Sequence, residues 1–284
     1  MEIKTLENVN KTEILNVFNH SFSDYFIPFK LSKEQLASKM LADKTDLNLS
    51  VGVFEEGVLI AFILHGLDIV NSQKVVYNGG TGVIPEKRGL GLTKQMYSFI
   101  IPYLEERGID KLILEVINEN IQAIKSYEKS GFITKRELVC YEGIAKTSNL
   151  NKNIEIKYLQ NYHWNSMETF WDVFPTWQNS NNVLDESKQS NCSLGAYLEK
   201  QLIGYVIYNP GNKRIQQIAI HKDFRKKGIA STLVFELIEK YGDTLSIINV
   251  DKKSKEVNNF LNKLGLENSL EQIEMELKLI KHSS

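Results

Sequence analysis

Arg88-Gly89-Leu90-Gly91-Leu92-Thr93 joins two patterns of different period, and it returns 137 residues later as Arg225-Lys226-Lys227-Gly228-Ile229-Ala230. Ahead of it, LNLSVGVF, VLIAFILHGL and VVYNGGTGVI are rich in β-branched and aromatic residues and are bounded by turn residues, so they are expected as strands. Behind it, Leu92, Met96, Phe99, Ile100 and Tyr103 recur at helical spacing and predict a core-facing stripe. Pro102 is expected to bend that helix near its end. KLILEV then reads as a strand, NIQAIKSYEKSG as a helix closed by Gly131, and LVCYE as a final strand.

The second half repeats the order: SLGAYLE, LIGYVIYN and IQQIAIH, a helix GIASTLVFELIEKYG, then LSIINV, KEVNNFLNKLG and IEMELKLI. Ile229, Leu233, Val234, Leu237 and Ile238 give its first helix the same kind of stripe. An offset of this size is a domain-sized repeat, and the polar stretch KTSNLNKN is the expected linker. Two α/β domains are therefore expected, residues 1–146 and 153–284.

The chain has 284 residues and a formal net charge of −1, so no overall field draws it to nucleic acid or an anionic membrane, and any anion must be held locally. Cys140 and Cys192 have no neighbouring ligand at metal spacing and are expected as plain thiols. Neither a basic-then-apolar leader nor an apolar run of about 18 residues is seen, so a cytoplasmic protein without a membrane segment is expected. Nothing in the sequence sets the oligomeric state.

A helix start leaves backbone N–H groups unpaired and carries partial positive charge, and glycines ahead of it let an anion approach the main chain. Lys87, Arg88 and Lys94 in the first copy, and Lys222, Arg225, Lys226 and Lys227 in the second, add cations there. A tight turn with a solvated basic rim explains one isolated copy equally well. The stretch is neither G-x-x-x-x-G-K-S/T nor G-x-G-x-x-G followed by an acidic residue, so two other phosphate loops are excluded.

These residues resemble the GNAT superfamily of acyl-CoA N-acyltransferases, whose pyrophosphate turn reads Gln/Arg-x-x-Gly-x-Gly/Ala. Arg225, Gly228 and Ala230 match it fully; Arg88 and Gly91 match, while Thr93 departs at the last position. Asn120, Ala123, Tyr127, Lys129, Gly131 and Phe132 also match the family's Asn-x-x-Ala-x-x-x-Tyr-x-Lys-x-Gly-Phe. FSDYFIPF and PTWQNS resemble a two-domain bacterial branch. The resemblance implies two tandem mixed, twisted sheets flanked by helices and splayed where coenzyme A enters. It implies acetyl-CoA as donor, a small-molecule amine as acceptor, and attack in a ternary complex. The donor is expected along Val83, Ile84, Arg88, Gly89, Leu90, Gly91, Leu92, Thr93, Asn118, Asn120, Ala123, Tyr127 and Lys129 in the first copy. Arg225, Lys227, Gly228, Ile229 and Ala230 form the corresponding cradle in the second. Asp24, Tyr25 and Phe29 are expected to line the acceptor pocket.

Asn120, Ala123 and Tyr127 share one helix face: the first can cap, the second leaves room for a thin chain, and the third presents a hydroxyl. An alkylamine with a pKa of ~10.4 must lose a proton before it attacks, and the departing thiolate, conjugate acid ~8.5, needs one. By resemblance Tyr127 is the general acid. N–H groups around Val83 are expected to polarise the thioester carbonyl. Glu115, alternating away from Leu114 and Val116, suits a base, an ammonium ligand or a plain charged residue of an exposed strand face. His65 is a second base candidate, although a lone His on an apolar strand is more often structural.

Setting Gly265 opposite Gly131 places Leu261 at Tyr127, Val257 at Ala123, Ser254 at Asn120 and Asn249 at Glu115. The second copy thus has the better cradle and no hydroxyl. The first is expected to be catalytic, the second a degenerate partner that completes the acceptor pocket or binds a second CoA. A CoA or phospho-ligand binder without turnover, a sensor or scaffold, is the competing class. Trp164, Trp171 and Trp177 suit an interface, an apolar substrate wall or core packing.

Overall fold

A computed structural model of the chain describes residues 1–24 and 30–280. It is a mixed α/β protein with two compact units, Met1–Lys135 with Ile273–Ser284, and Arg136–Gln272.

In the first unit β1 (Glu2–Thr5), β2 (Val51–Glu55), β3 (Val58–Val70) and β4 (Gln73–Val83) follow one another in antiparallel pairs. β5 (Lys111–Ile117) then joins β4 in parallel. The crossover between them is α3 (Leu92–Glu106), and α4 (Ile121–Lys129) follows β5. Alternation along β3 serves two cores. Ile60 and Ile63 pack with α3, while Leu59, Phe62 and Leu64 pack with α1 (Lys11–Ser21) and α2 (Lys33–Ala42). The two early helices, unassigned from the sequence, start on strong caps. The Asn10 side chain accepts from the Thr12 N–H, and Ser32 and Gln35 form a reciprocal capping box.

The α3 stripe differs from the expected one at two positions, Phe99 and Tyr103, the latter being half-buried beside a fully buried Leu104. Phe99 is 43% exposed, and Tyr97, at 0%, takes its place in the core with Met96, Ile100 and Leu104. Pro102 lies inside this helix, which runs on to Glu106.

The second unit repeats the plan. β7 (Glu155–Tyr158), β8 (Cys192–Leu198), β9 (Gln201–Asn209) and β10 (Arg214–Ile220) are antiparallel, and β11 (Thr244–Asp251) is parallel to β10. Its helices are α5 (Trp164–Met167), α6 (Asn181–Glu186), α7 (Ile229–Tyr241) and α8 (Lys255–Lys263). Trp177 is buried in this unit, Trp171 donates to the Tyr205 hydroxyl and Trp164 to Asp185, so all three have packing or hydrogen-bonding roles. Both cysteines are buried thiols, and Cys140 Sγ donates to Asn249 Oδ1 at 3.8 Å. Among the described residues no helix is long and apolar enough to cross a membrane.

The compact units are not the consecutive stretches 1–146 and 153–284. β6 (Ile133–Ile144) leaves the first unit and pairs antiparallel with β11 of the second, while the Ile273–Lys278 end of β12 (Glu267–Lys278) belongs to the first. The physical reason is local: Met275 is fully buried in the α3 core, Glu276 meets Lys111 at 3.1 Å and Lys135 at 3.5 Å, and the Leu279 N–H donates to the Asp110 carbonyl at 3.0 Å. A chain cut after Lys146 loses these contacts, of which the Met275 side chain alone stabilises by about 2–5 kcal/mol. Residues 1–146 alone are expected to melt at least roughly 10 °C below the full chain, or to aggregate. Equal melting temperatures by circular dichroism would show the last strand to be dispensable.

Candidate active site

The site in the first unit begins where β4 and β5 stop pairing. Their parallel register covers Val75–Tyr77 against Lys111–Ile113, leaving Asn78–Val83 and Leu114–Ile117 without mutual partners. The break coincides with a bulge: Leu64 pairs with Gly80 and His65 with Asn78, so Gly79 is the extra residue. The Asn78 side chain locks this geometry, accepting the Gly80 N–H at 2.9 Å and donating to Thr81 Oγ1 and the Tyr97 hydroxyl, both at 2.8 Å. Behind the bulge a Cβ on Gly79 would lie 2.6 Å from Asp43 Oδ2, and one on Gly66 would lie 1.8 Å from the Asp43 carbonyl oxygen. Asp43 is buried and paired with Lys39 at 2.6 Å; burial raises its pKa in spite of that cation.

At the far end of β4 the Ile84 N–H bonds the Ile60 carbonyl of β3. Alternation along a strand therefore turns the Val83 N–H to the opened side. The chain then passes through Pro85–Lys87 and Arg88 to Gly91, which caps α3 in the left-handed region at φ 70°. Gly89 is also left-handed, at φ 79°, and none of the described residues lies within 4 Å of where a Cβ on either glycine would stand. Among the described residues the N–H groups of Leu92, Thr93 and Lys94 have no protein acceptor, as expected for the first turn of a helix. The start of α3 is thus an open nest of donors.

Arg88 is different. Its guanidinium donates to both oxygens of Asp24 at 2.8 and 2.7 Å, to the Ser21 carbonyl at 2.9 Å and to the Val83 carbonyl at 3.4 Å. The guanidinium hydrogen-bonded to Asp24 holds that carboxyl below the usual range, and the carboxylate raises the pKa of Arg88 in turn. Asp24 therefore faces the turn. Tyr25 and Phe29 lie outside the described residues.

Beyond β5, Asn120 caps α4, its side chain accepting the Ala123 N–H at 3.1 Å, and Ala123 is half-buried. Asn118 and Lys129 are exposed. Tyr127 is buried, edge-on to Tyr97 at 6.3 Å between ring centroids and to Phe132 at 5.8 Å. Burial, and next the neighbouring Tyr127, push the Tyr97 phenol well above its ordinary pKa, so Tyr97 stays protonated. Glu115 lies on the opposite face of β5 from Leu114 and Val116, and the Tyr77 hydroxyl donates to its Oε2 at 2.6 Å. That phenol was not singled out in the sequence; it orients the carboxylate.

His65 belongs to the core. It is fully buried, its Nδ1 bonds the Leu49 carbonyl at 2.8 Å, and desolvation lowers its pKa to about 4, so it is neutral and no base for an ammonium. A histidine whose folded pKa is depressed weakens the fold as pH falls from ~6.5 through about 4, because the unfolded chain takes up the proton first. Stability is expected to fall by on the order of 3 kcal/mol over that window. His65→Asn should flatten this component in urea titrations between pH 4 and 7, and an unchanged slope would assign it elsewhere.

The equivalent region of the second unit is closed. β10 and β11 also part early, after Arg214–Ile215 against Ser246–Ile247. Here, however, the Gln217 amide donates to the Asn179 carbonyl at 2.6 Å, and the Asn179 amide reaches the Ile248 carbonyl at 3.4 Å, stitching the two strands. Gln216 and Gln217 stand where β4 has Gly79 and Gly80. The turn is covered as well. A Cβ on Gly228 would lie 2.1 Å from the Asn149 carbonyl oxygen, and Asn151 donates its side chain to the Lys227 carbonyl and its N–H to Thr232 Oγ1, both at 2.8 Å. Lys226, in the place of Gly89, is held at φ 60°. Ile229 is buried and Ala230 half-buried in the first turn of α7. Leu261 occupies the place of Tyr127, fully buried.

Two units of the same plan, in each of which a parallel strand pair parts early beside a glycine-led helix start, are the geometry on which comparison with known proteins bears. The sequence pattern of the Acetyltransferase (GNAT) family matches residues 13–132 and 156–266. The chain belongs to the GNAT acetyltransferase family. Among solved structures it is similar to a GCN5-related N-acetyltransferase from Sphaerobacter thermophilus, at TM-score 0.73 and 14% identity over 98% of this chain and 95% of that one. It is also similar to a tandem GNAT protein from the clavulanic acid biosynthesis pathway, at TM-score 0.70 and 9% identity over 100% and 99%. A putative acetyltransferase from Pyrococcus horikoshii gives TM-score 0.68 and 12% identity over 99% and 91%. At these identities the likeness is one of fold. A comparison with curated proteins gave no match.

Proposed function

We propose that this GNAT protein is an acetyl-CoA-dependent N-acetyltransferase with one working site, in the first unit, acting on a small-molecule primary amine. The observation that carries the reading is the contrast between copies. The β4–β5 opening is lined by glycines and leads to an uncovered helix start, whereas Asn179 and the segment around Asn149–Asn151 close its counterpart. Acetyl-CoA supplies the activated acyl carbon. The free N–H groups of Leu92, Thr93 and Lys94, with the open main chain at Gly89 and Gly91, suit its pyrophosphate. Ala123, small and half-buried beyond the β5 end of the gap, suits the thin pantetheine arm.

Within that arrangement the Val83 N–H polarises the acyl carbonyl, donating where negative charge develops. Glu115, oriented by Tyr77, accepts the proton that an ammonium must lose before attack. Tyr127 hydrogen-bonds the departing sulfur as charge forms on it and hands over its proton; by the reference values, ~10 for a phenol and ~8.5 for a thiol, this transfer is uphill by roughly 2 kcal/mol, and the phenolate then regains a proton from solvent. Both proton movements occur in one ternary complex, so no group of the chain is acylated.

Tyr127→Phe is expected to lower kcat by about 10²-fold or more and leave CoA affinity within a factor of two. Full turnover by this variant would remove Tyr127 from the acid role. Incubation with acetyl-CoA and a panel of polyamines, aminoglycosides, amino acids and peptide amines, followed by detection of free thiol, tests turnover itself. Tight CoA binding with no thiol release across the panel would favour a binder over an enzyme. Calorimetric titration is expected to give one CoA per chain, and two would show that the second turn opens.

A further inference from the structure

The motif arginine occurs in both copies and meets the same kinds of partner in each, a strand-end carbonyl, a carbonyl and an aspartate of the segment after the first strand, with Glu256 at 3.7 Å as an addition in the second. In the first unit four of the five guanidinium N–H groups are engaged, by Asp24, Ser21 and Val83. In the second, Arg225 donates to the Ile220 carbonyl at 3.1 Å and the Phe170 carbonyl at 2.7 Å, and pairs with Asp172 at 2.8 Å. Val83 and Ile220 are equivalent strand ends, five residues before each arginine. Ser21 and Phe170, like Asp24 and Asp172, come from the segment that follows the first strand of each unit. A short repeat underlies the match: Phe22-Ser23-Asp24-Tyr25-Phe26 and Phe170-Trp171-Asp172-Val173-Phe174. In the first unit a second contact, His20 Nε2 to Glu86 Oε1 at 3.3 Å, links the same two segments.

The second unit keeps this clamp although its turn is covered, its strand gap is stitched and its tyrosine is replaced by Leu261. The bond set shared by both copies therefore has a purpose that does not need a bound phosphate. We infer that Arg88 is a positioning residue which, through Asp24, ties the end of α1 to the glycine turn and fixes that turn's amides, and that it is not itself a ligand of the donor's pyrophosphate. The inference rests on the reading that CoA binds at this turn.

The two roles predict opposite signs. If Arg88 is a tie, removing the Asp24 carboxylate loosens the turn and weakens CoA binding. If it is a ligand, the same change frees the guanidinium, removes an anion from the edge of the cradle, and tightens binding. Calorimetric titration with coenzyme A would compare the full-length protein with Asp24→Asn, Arg88→Gln and the double variant. Each single change is expected to raise Kd by about 3–10-fold, the double change by no more than either alone, and Asp24→Glu to recover most of the affinity. Thermal melting should show the variants folded, since both side chains of the pair are substantially exposed. Wild-type binding with Asp24→Asn unchanged or tighter would overturn the tie and leave the CoA site standing. A wild-type protein that binds no CoA would remove the site and the tie together.

Discussion

The early end of the β4–β5 pairing is the constraint on which the first unit's candidate site depends. A parallel pair that continued past Tyr77 and Ile113 would satisfy the main chain of both strands and leave no space between them. The Gly79 bulge, with Asn78 bonded to the Gly80 N–H, ends the regular ladder and holds the strand in its displaced path. From that displacement follow the side on which the Val83 N–H lies, the turn through Gly89 and Gly91, and the uncovered start of α3. Asp43, seated against Gly66 and Gly79, supports the displaced strand from the α2 side. The glycines of NGGTG thus let neighbours approach the main chain, Asp43 at Gly79 and Phe62 and Ser21 at Gly82.

The second unit shows what the same opening becomes when side chains fill it. Gln217 cannot be buried without partners, and Asn179 supplies one while bridging to β11. The linker covers Gly228 by using the groups a helix start and its turn expose, the Lys227 carbonyl and the Thr232 hydroxyl. Closure is thus achieved with ordinary hydrogen bonds within the unit, and the better-matched glycine motif is the one an incoming anion cannot reach freely. The arginine clamp survives in both because it joins the end of a strand to a preceding segment, a task of architecture that persists after the gap has closed.

Much of this was legible in the residues. Period-2 runs marked the long central strands, and helical stripes marked α3 and α7, because burial selects side chains by face. The exchange of Phe99 for Tyr97 within α3 was not, since both are large aromatic residues and each is next to a stripe residue, Phe99 to Ile100 and Tyr97 to Met96. Tyr97 is inside because its hydroxyl has a buried partner in Asn78. β1 and β7, four residues each, are too short for periodicity to register. The Phe-x-Asp-x-Phe repeat was present in the sequence but acquired meaning only when each aspartate was found against its arginine.

By itself the sequence determined the duplication, the fold of each copy and the glycine turns, because these are local or periodic properties. Tertiary structure decided which turn is open, where Arg88 directs its charge, that His65 is neutral core, and that the last strand completes the first unit. Each of these depends on segments distant in the chain meeting in space: Asn149 with Gly228, Asp24 with Arg88, Leu49 with His65, Met275 with the α3 core. No spacing rule encodes such meetings, since they arise from the path of the chain through the sheets.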